Sequence, residues 1–257
     1  MRRSIFGLKS LVAIAALGLA GHLQAAPISL DNGSKVVATT RIDQVVPTQS
    51  VTDPVTSLPF LNHNTTSDTG KLGTSSNVLS NLTTSAFNFD FKFAVGEFIS
   101  EGSIPFGFAS GQGDMFFTGG DGVTFAISGF QTAFGDDTDQ FMSVFLHDLT
   151  TDTFLYDYRK EKFVGQGTEA GSTITADSSG GSLTGSLIAG HHYEFNAYQE
   201  LSNEEIDPTS NGTVNIAFAQ TNPGPGPGPS VPLPAAFPAA LLTVGIFGAK
   251  MRRRSHV

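Results

Sequence analysis

The stretch FNFDFKF, residues 87–93, alternates phenylalanine with polar side chains at every position. Successive side chains of an extended chain point in opposite directions, so the phenylalanines fall on one face and the polar residues on the other. A strand of this kind must cover its apolar face with a second layer of structure. The segment therefore predicts a half-buried strand in a layered β structure.

Similar alternation recurs at residues 123–128, 193–197 and 213–218. Residues 141–147 and 153–158 have the pattern of a hairpin whose loop is the intervening pentapeptide. Weaker strand signals lie near residues 36–40, 115–117, 130–134, 173–176 and 182–187.

The spacing of these segments indicates the fold class. The 29 glycines are expected mostly in turns between strands. No amphipathic helix separates the strands, which disfavours a parallel α/β fold. We predict a single all-β domain, the body, over residues 27–220, with the architecture of an antiparallel β-sandwich or jelly roll. Two polar tracts, residues 47–82 and 165–186, are expected to form surface loops or irregular edges.

The charge of the chain is unevenly distributed. Its 14 basic and 23 acidic residues give a net charge of −9, but seven of the basic ones lie in the first ten or last eight positions. The body therefore carries 7 − 23 = −16. Phosphate backbones repel such a surface, which argues against nucleic acid as a partner. The absence of cysteine excludes a disulfide framework and a thiolate metal site.

The first 26 residues have the layout of a secretory signal peptide. A basic start precedes an apolar stretch at residues 11–20, and small residues follow. This stretch is well short of the ~20 residues that a membrane-spanning helix needs. We expect signal peptidase to cut after Ala25 or Ala26 and the rest of the chain to be exported.

The other end of the chain has three parts. A linker of alternating proline and glycine, residues 221–230, can form neither helix nor sheet. The apolar run at residues 235–249 would make a helix about 22 Å long, short of the ~30 Å hydrocarbon core of a bilayer. Arg252, Arg253 and Arg254 follow and should stay on the cytoplasmic side. These features predict a short transmembrane helix that holds the body on the outer side of the membrane.

This end also resembles a known sorting signal. The motif Val231-Pro232-Leu233-Pro234-Ala235, the short apolar helix and the arginines are similar to the PEP-CTERM signal in its VPLPA variant. The resemblance covers residues 231–254, within a sorting region of residues 231–257. It implies recognition and processing by exosortase, an integral-membrane cysteine protease. It also implies an exported bacterial protein, held transiently in the inner membrane and then found at the cell surface or in the extracellular matrix, in association with exopolysaccharide and biofilm.

The body offers little catalytic chemistry in its sequence. Cysteine is absent and no G-x-S-x-G elbow occurs, so no catalytic residue is predicted. His191 and His192 are adjacent in an expected strand and should point to opposite faces, so they cannot easily share a metal. Asp136, Asp137 and Asp139 are the candidate Ca²⁺ ligands, although their loop lacks the glycine and glutamate of an EF-hand. No other cofactor is predicted.

Three hypotheses for function follow. The first is an exported, non-catalytic β-sandwich protein that acts as a structural or adhesive component outside the cell. The second is a Ca²⁺-assisted carbohydrate-binding module. The third is a polysaccharide-active hydrolase, which would need two carboxylates about 5–10 Å apart across a cleft. Extracellular polysaccharide is the expected partner of the body.

Overall fold

A computed structural model describes residues 26–42, 46–70, 73–96, 107–135, 138–164, 168–176, 181–203 and 208–221. The chain divides into one compact unit that ends at Pro223 and a second segment, Gly224–Val257. The predicted signal peptide up to Ala25, nearly all of the linker and the whole sorting region lie outside the described residues. No helix in the described part is long and apolar enough to cross a membrane.

The described part of the chain is built from fourteen β-strands. They are β1 (Ile28–Leu30), β2 (Lys35–Ile42), β3 (Val46–Pro54), β4 (Phe60–Asp68), β5 (Ser75–Thr83), β6 (Ala86–Ala94), β7 (Gly107–Gly119), β8 (Val123–Gly135), β9 (Thr138–Asp148), β10 (Thr153–Val164), β11 (Thr168–Thr173), β12 (Thr184–Ser186), β13 (His192–Asn203) and β14 (Thr209–Gln220).

The strands form two seven-stranded sheets. Sheet A has the order β10-β9-β13-β7-β2-β3, with β1 beside β7, and sheet B has the order β11-β8-β14-β6-β5-β4, with β12 beside β8. Every pairing is antiparallel, and β14 lies in the middle of sheet B between β8 and β6. The predicted all-β, antiparallel sandwich is confirmed, as is the hairpin of β9 and β10; the finer jelly-roll assignment stays a prediction.

The two sheets pack through the phenylalanines of β6. All four of these side chains are buried in one core, as their alternation predicts. They meet glycines in the middle of β7: a Cβ on Gly113 would lie 2.2 Å from Phe89 Cε1, and one on Gly111 would lie 2.7 Å from Phe91 Cδ1. The expectation that glycines mostly separate strands is therefore wrong for β7, where they make room for rings from the opposite sheet.

The interior is polar towards one end of the sandwich. Gln131 on β8 donates to the Glu200 carbonyl at 2.8 Å, and Gln199 on β13 donates to the Phe130 carbonyl at 3.0 Å. Ser76 donates to the Ser110 carbonyl at 2.6 Å. Each of these hydrogen bonds joins the two sheets, so buried side-chain amides and hydroxyls replace apolar contacts there.

The polar tract at residues 47–82 is strand rather than surface loop. It contains β4 and most of β3 and β5, whose buried residues are Thr65 and Ser67 on β4 and Ser76, Val78, Ser80 and Leu82 on β5. Thr65 donates to Asp53 Oδ2 at 2.6 Å, and Ser67 donates to the Gln49 carbonyl at 3.2 Å. Because four of these six buried residues are hydroxyls, the apolar alternation that marks a strand is weak. The tract at 165–186 likewise contains the short strands β11 and β12.

Candidate functional site on the outer face of sheet A

The outer face of sheet A carries an open array of aromatic side chains. Strand alternation turns them outward, and all but Phe154 lie between buried neighbours in sequence. The array lies on β7, β9, β10 and β13 and consists of Phe108, Phe116, Phe141, Phe145, Phe154 and Tyr198.

These rings are held by contacts within the face. The centroids of Phe141 and Tyr198 lie 5.9 Å apart, and those of Phe145 and Phe154 lie 5.7 Å apart, both in edge-to-face geometry. His147 stacks on Phe154 at 4.2 Å. Phe154 is nevertheless 49% exposed, so one ring of the array is free to take a further partner.

A pair of carboxyl groups lies beside the aromatic array. Glu194 on β13 and Asp114 on β7 are diagonal neighbours, because Glu194 pairs with Phe116 and Asn196 pairs with Asp114. Burial and then the charge and hydrogen bond of Asp114 raise the pKa of Glu194. Lys35 Nζ lies 3.5 Å from Asp114 Oδ2. The pair therefore holds a proton more readily than two separate carboxylates would.

A second polar pair lies further along β13. The hydroxyl of Tyr198 donates to Glu200 Oε2. Burial raises the pKa of Tyr198, and the hydrogen bond and charge of Glu200 raise it further. Burial also raises the pKa of Glu200, with added repulsion from Glu161 and Asp139. Tyr198 thus stays a neutral hydrogen-bond donor at physiological pH.

The two adjacent histidines point to different carboxylates. His191 Nδ1 lies 2.8 Å from Asp148 Oδ2, and His192 Nδ1 lies 2.8 Å from Asp31 Oδ2. Asp148 is almost fully buried and also accepts from the Thr150 amide at 2.9 Å. Burial alone would raise the pKa of Asp148, but the hydrogen bonds from His191 and from the loop outweigh it and lower the pKa. These contacts anchor the β9–β10 loop to the start of β13.

Most of the residues singled out from the sequence lie outside the described part. These are Ala25, Asp136, Asp137, the motif residues 231–235 and the arginines 252–254. Ala26 is described and exposed. Asp139 is an exposed residue of β9, not a loop residue. Within the described ranges, no group of three His, Cys, Asp or Glu side chains could hold a metal ion.

The outer face is suited to holding a ligand. Its groups are aromatic rings, a neutral tyrosine hydroxyl and a carboxyl pair; Asn196 and Asp114 are each only 6% exposed, and Phe154 is the most exposed ring. Glu194 and Asp114 are in hydrogen-bond contact, whereas glycosidases place their carboxyl groups about 5–10 Å apart on either side of the scissile bond. This pair therefore lacks the geometry of the glycosidase mechanisms.

Comparison with known proteins gives no relative. No family model matches the sequence, and no curated protein is significantly similar to it. Among solved structures, the infectious bursal disease virus Gx strain matches with a TM-score of 0.31 and 7% identity over 76% of this chain and 54% of that chain. The Gt strain matches with a TM-score of 0.21 and 8% identity over 74% of this chain and 63% of that chain. At these TM-scores the likeness carries no argument about function.

Proposed function

We propose that this chain is an exported, non-catalytic protein that acts as a structural or adhesive component outside the cell by binding extracellular polysaccharide. The observation that carries the proposal is the open outer face of sheet A. Sugar rings pack their C–H faces on aromatic side chains and hydrogen-bond through their hydroxyls to amides, carboxyls and phenols. Phe154 supplies an exposed ring on this face, and Tyr198 and Glu200 supply a half-buried phenol and carboxyl on the same face.

The shape of the face suits a polymer better than a small substrate. The array extends over four neighbouring strands of sheet A, so a chain of sugars can lie across it. Enzyme sites, by contrast, are concave and exclude water from the reacting bond. This contrast supports adhesion over hydrolysis.

The proposal also assigns a processing step to each end of the chain. Signal peptidase removes the first 25 or 26 residues, and exosortase processes the tail at the Val231–Ala235 motif. The support is the sequence pattern at each end. The protein is then held transiently in the inner membrane and reaches the surface or the matrix.

The test of sorting is mass spectrometry of the mature C-terminus in host cells with and without exosortase. A terminus at Val257 in both strains would refute it.

Ligand binding is tested by isothermal titration of the full chain, in mild detergent, against a panel of polysaccharides with and without chelator. Phe154→Ala should weaken binding about two- to tenfold by removing one stacking ring. Phe134→Ala is the matched control, because Phe134 is also exposed but lies on the outer face of sheet B. Equal losses in both variants, or no binding by the parent chain, would refute the proposal. Loss of binding with chelator would favour the Ca²⁺-assisted form.

A further inference from the structure

The sandwich is open along the side where β10 and β11 face each other. β10 pairs with β9 and β11 pairs with β8, and no strand pairing joins β10 to β11 within the described residues. A groove of about 730 Å³ lies between them. Its walls are β10 side chains on one side and the backbone and short side chains of residues 171–176 on the other.

The inward side of β10 is unusual in its chemistry. Tyr156, Tyr158, Lys160 and Lys162 alternate towards the interior. The first three pair with the buried residues Leu146, Val144 and Met142, and Lys162 pairs with the buried Gln140. Inward positions of a sandwich strand are normally apolar, so two successive inward lysines require an explanation.

Three of these four side chains reach from β10 to the opposite wall of the groove and donate hydrogen bonds to backbone carbonyls there. Tyr156 donates to the Thr175 carbonyl at 2.8 Å, Tyr158 donates to the Thr173 carbonyl at 3.2 Å, and Lys162 donates to the Gly171 carbonyl at 3.0 Å. Lys160 lies between them, is exposed, and has no hydrogen-bond or ion-pair partner within the described residues. Its ammonium group is thus available to a ligand in the groove.

The groove also concentrates positive charge in an acidic body. Arg159, Lys160 and Lys162 are three of the seven basic residues between positions 27 and 220. Glu161 also lines the groove and offsets part of this charge, although its strand position lies on the outer face of sheet A, where it raises the pKa of Glu200. Arg159 is paired with Asp157 at 3.3 Å. Because Arg159 pairs with Asp157 and Lys162 donates to the Gly171 carbonyl, Lys160 is the groove cation without a partner within the described residues.

We propose that this groove binds the carboxylate groups of a uronic-acid polysaccharide. An extended groove between two strands accommodates a linear chain, and Lys160 supplies a point charge for a carboxylate. The body charge of −16 repels any polyanion at long range, so the attraction in this site comes from the local positive charge of the groove. The inference rests on the proposed function for the polysaccharide class and adds a second, charge-selective site.

The test uses the full chain and two forms of one polymer, polygalacturonate and its fully methyl-esterified, uncharged derivative. The parent chain should bind the charged form more tightly, and added salt should reduce the difference. Lys160→Gln should weaken binding of the charged form about threefold to tenfold and leave the esterified form unchanged. Lys92→Gln, which removes one positive charge from the outer face of sheet B, should change neither.

Several outcomes would refute the proposal that the groove binds uronic-acid carboxylates. One is equal affinity of the parent chain for the two polymers. Another is unchanged binding of polygalacturonate by Lys160→Gln. A third is self-association of that variant without loss of binding, which would assign Lys160 to guarding a free strand edge. If Phe154→Ala loses affinity for the esterified polymer while Lys160→Gln behaves like the parent chain, the proposed function stands and the groove alone fails.

Discussion

Replacing Gly113 by alanine tests the packing of the two sheets most directly. The added Cβ would lie 2.2 Å from Phe89 Cε1 and 2.3 Å from Cζ, whereas ordinary contact begins at about 3.4 Å. The ring or the β7 backbone must therefore move by more than 1 Å. Phe89 is fully buried and stacks on Phe91 with centroids 6.3 Å apart, so the ring has little room to retreat.

Overpacking of this kind costs about 1–3 kcal/mol, and because the clashing ring is fully buried we place Gly113→Ala at the upper end, about 3 kcal/mol. The free energy of unfolding is measured by urea titration followed by circular dichroism. Gly171→Ala is the control, because its Cβ would meet only ordinary contacts, the nearest at 3.6 Å. It should change stability by less than about 0.5 kcal/mol.

A double-mutant cycle isolates the contact between residues 113 and 89 from any other effect of the alanine substitution. Phe89→Leu removes the ring atoms that clash, so it should relieve part of the cost of Gly113→Ala. We expect a favourable coupling of about 1–2 kcal/mol between the two substitutions. Additive effects, or a stability of Gly113→Ala equal to that of Gly171→Ala, would refute this packing of β6 against β7.

Three further predictions follow from the described contacts and the tail. Asp148→Asn should destabilise the fold by about 1.5–3 kcal/mol at neutral pH, because it loses a buried charged acceptor. The lowered pKa of Asp148 means that its contribution is present above the unfolded value and lost as the pH falls through the folded one, so the difference from the parent chain should vanish in strong acid. Glu194→Gln should stabilise the fold at pH 7, because the raised pKa of Glu194 means that its ionised form is unfavourable in the folded state. The variant should therefore unfold at a higher urea concentration than the parent chain at pH 7. This gain in stability should vanish below pH 4.5, the ordinary pKa of a glutamate side chain. A loss of stability at pH 7 would contradict that. Replacing Arg252, Arg253 and Arg254 by glutamate should leave the tail unprocessed in exosortase-positive cells, by the positive-inside rule, and unchanged maturation would count against their topological role.

The sequence predicts best those strands whose buried residues are apolar. β6 follows from its four inward phenylalanines, and the β9–β10 hairpin follows from inward apolar or aromatic residues such as Met142, Leu146 and Tyr156. β7 is underestimated: only residues 115–117 carry a strand signal, since Ser110, Gly111 and Gly113 occupy inward or central positions of the 13-residue strand. β3 to β5 are missed because β3 is almost wholly exposed, while hydroxyls fill the buried positions of β4 and half of those of β5.

The candidate site could not be predicted from local sequence. Asp114 and Glu194 lie 80 positions apart, and only the register of β7 against β13 makes them neighbours. The groove has a sequence signal in the run Arg159-Lys160-Glu161-Lys162, but which of these charges faces the opening depends on the strand direction and on the bulge between Phe154 and Tyr156. Pairing between strands that are distant in sequence therefore determines both the carboxyl pair and the charges that face the groove.

The place of β14 in sheet B has a consequence for biogenesis. This strand is the last in the described order, yet it joins β8 to β6, so the sheet stays in two halves until residue 220 has been made. Under the proposed export route, the chain must remain unfolded almost until its tail reaches the translocon. Completion of the sandwich and arrival of the tail at the membrane then become nearly simultaneous, and the enzyme that trims the tail meets a cargo that has only just become able to fold.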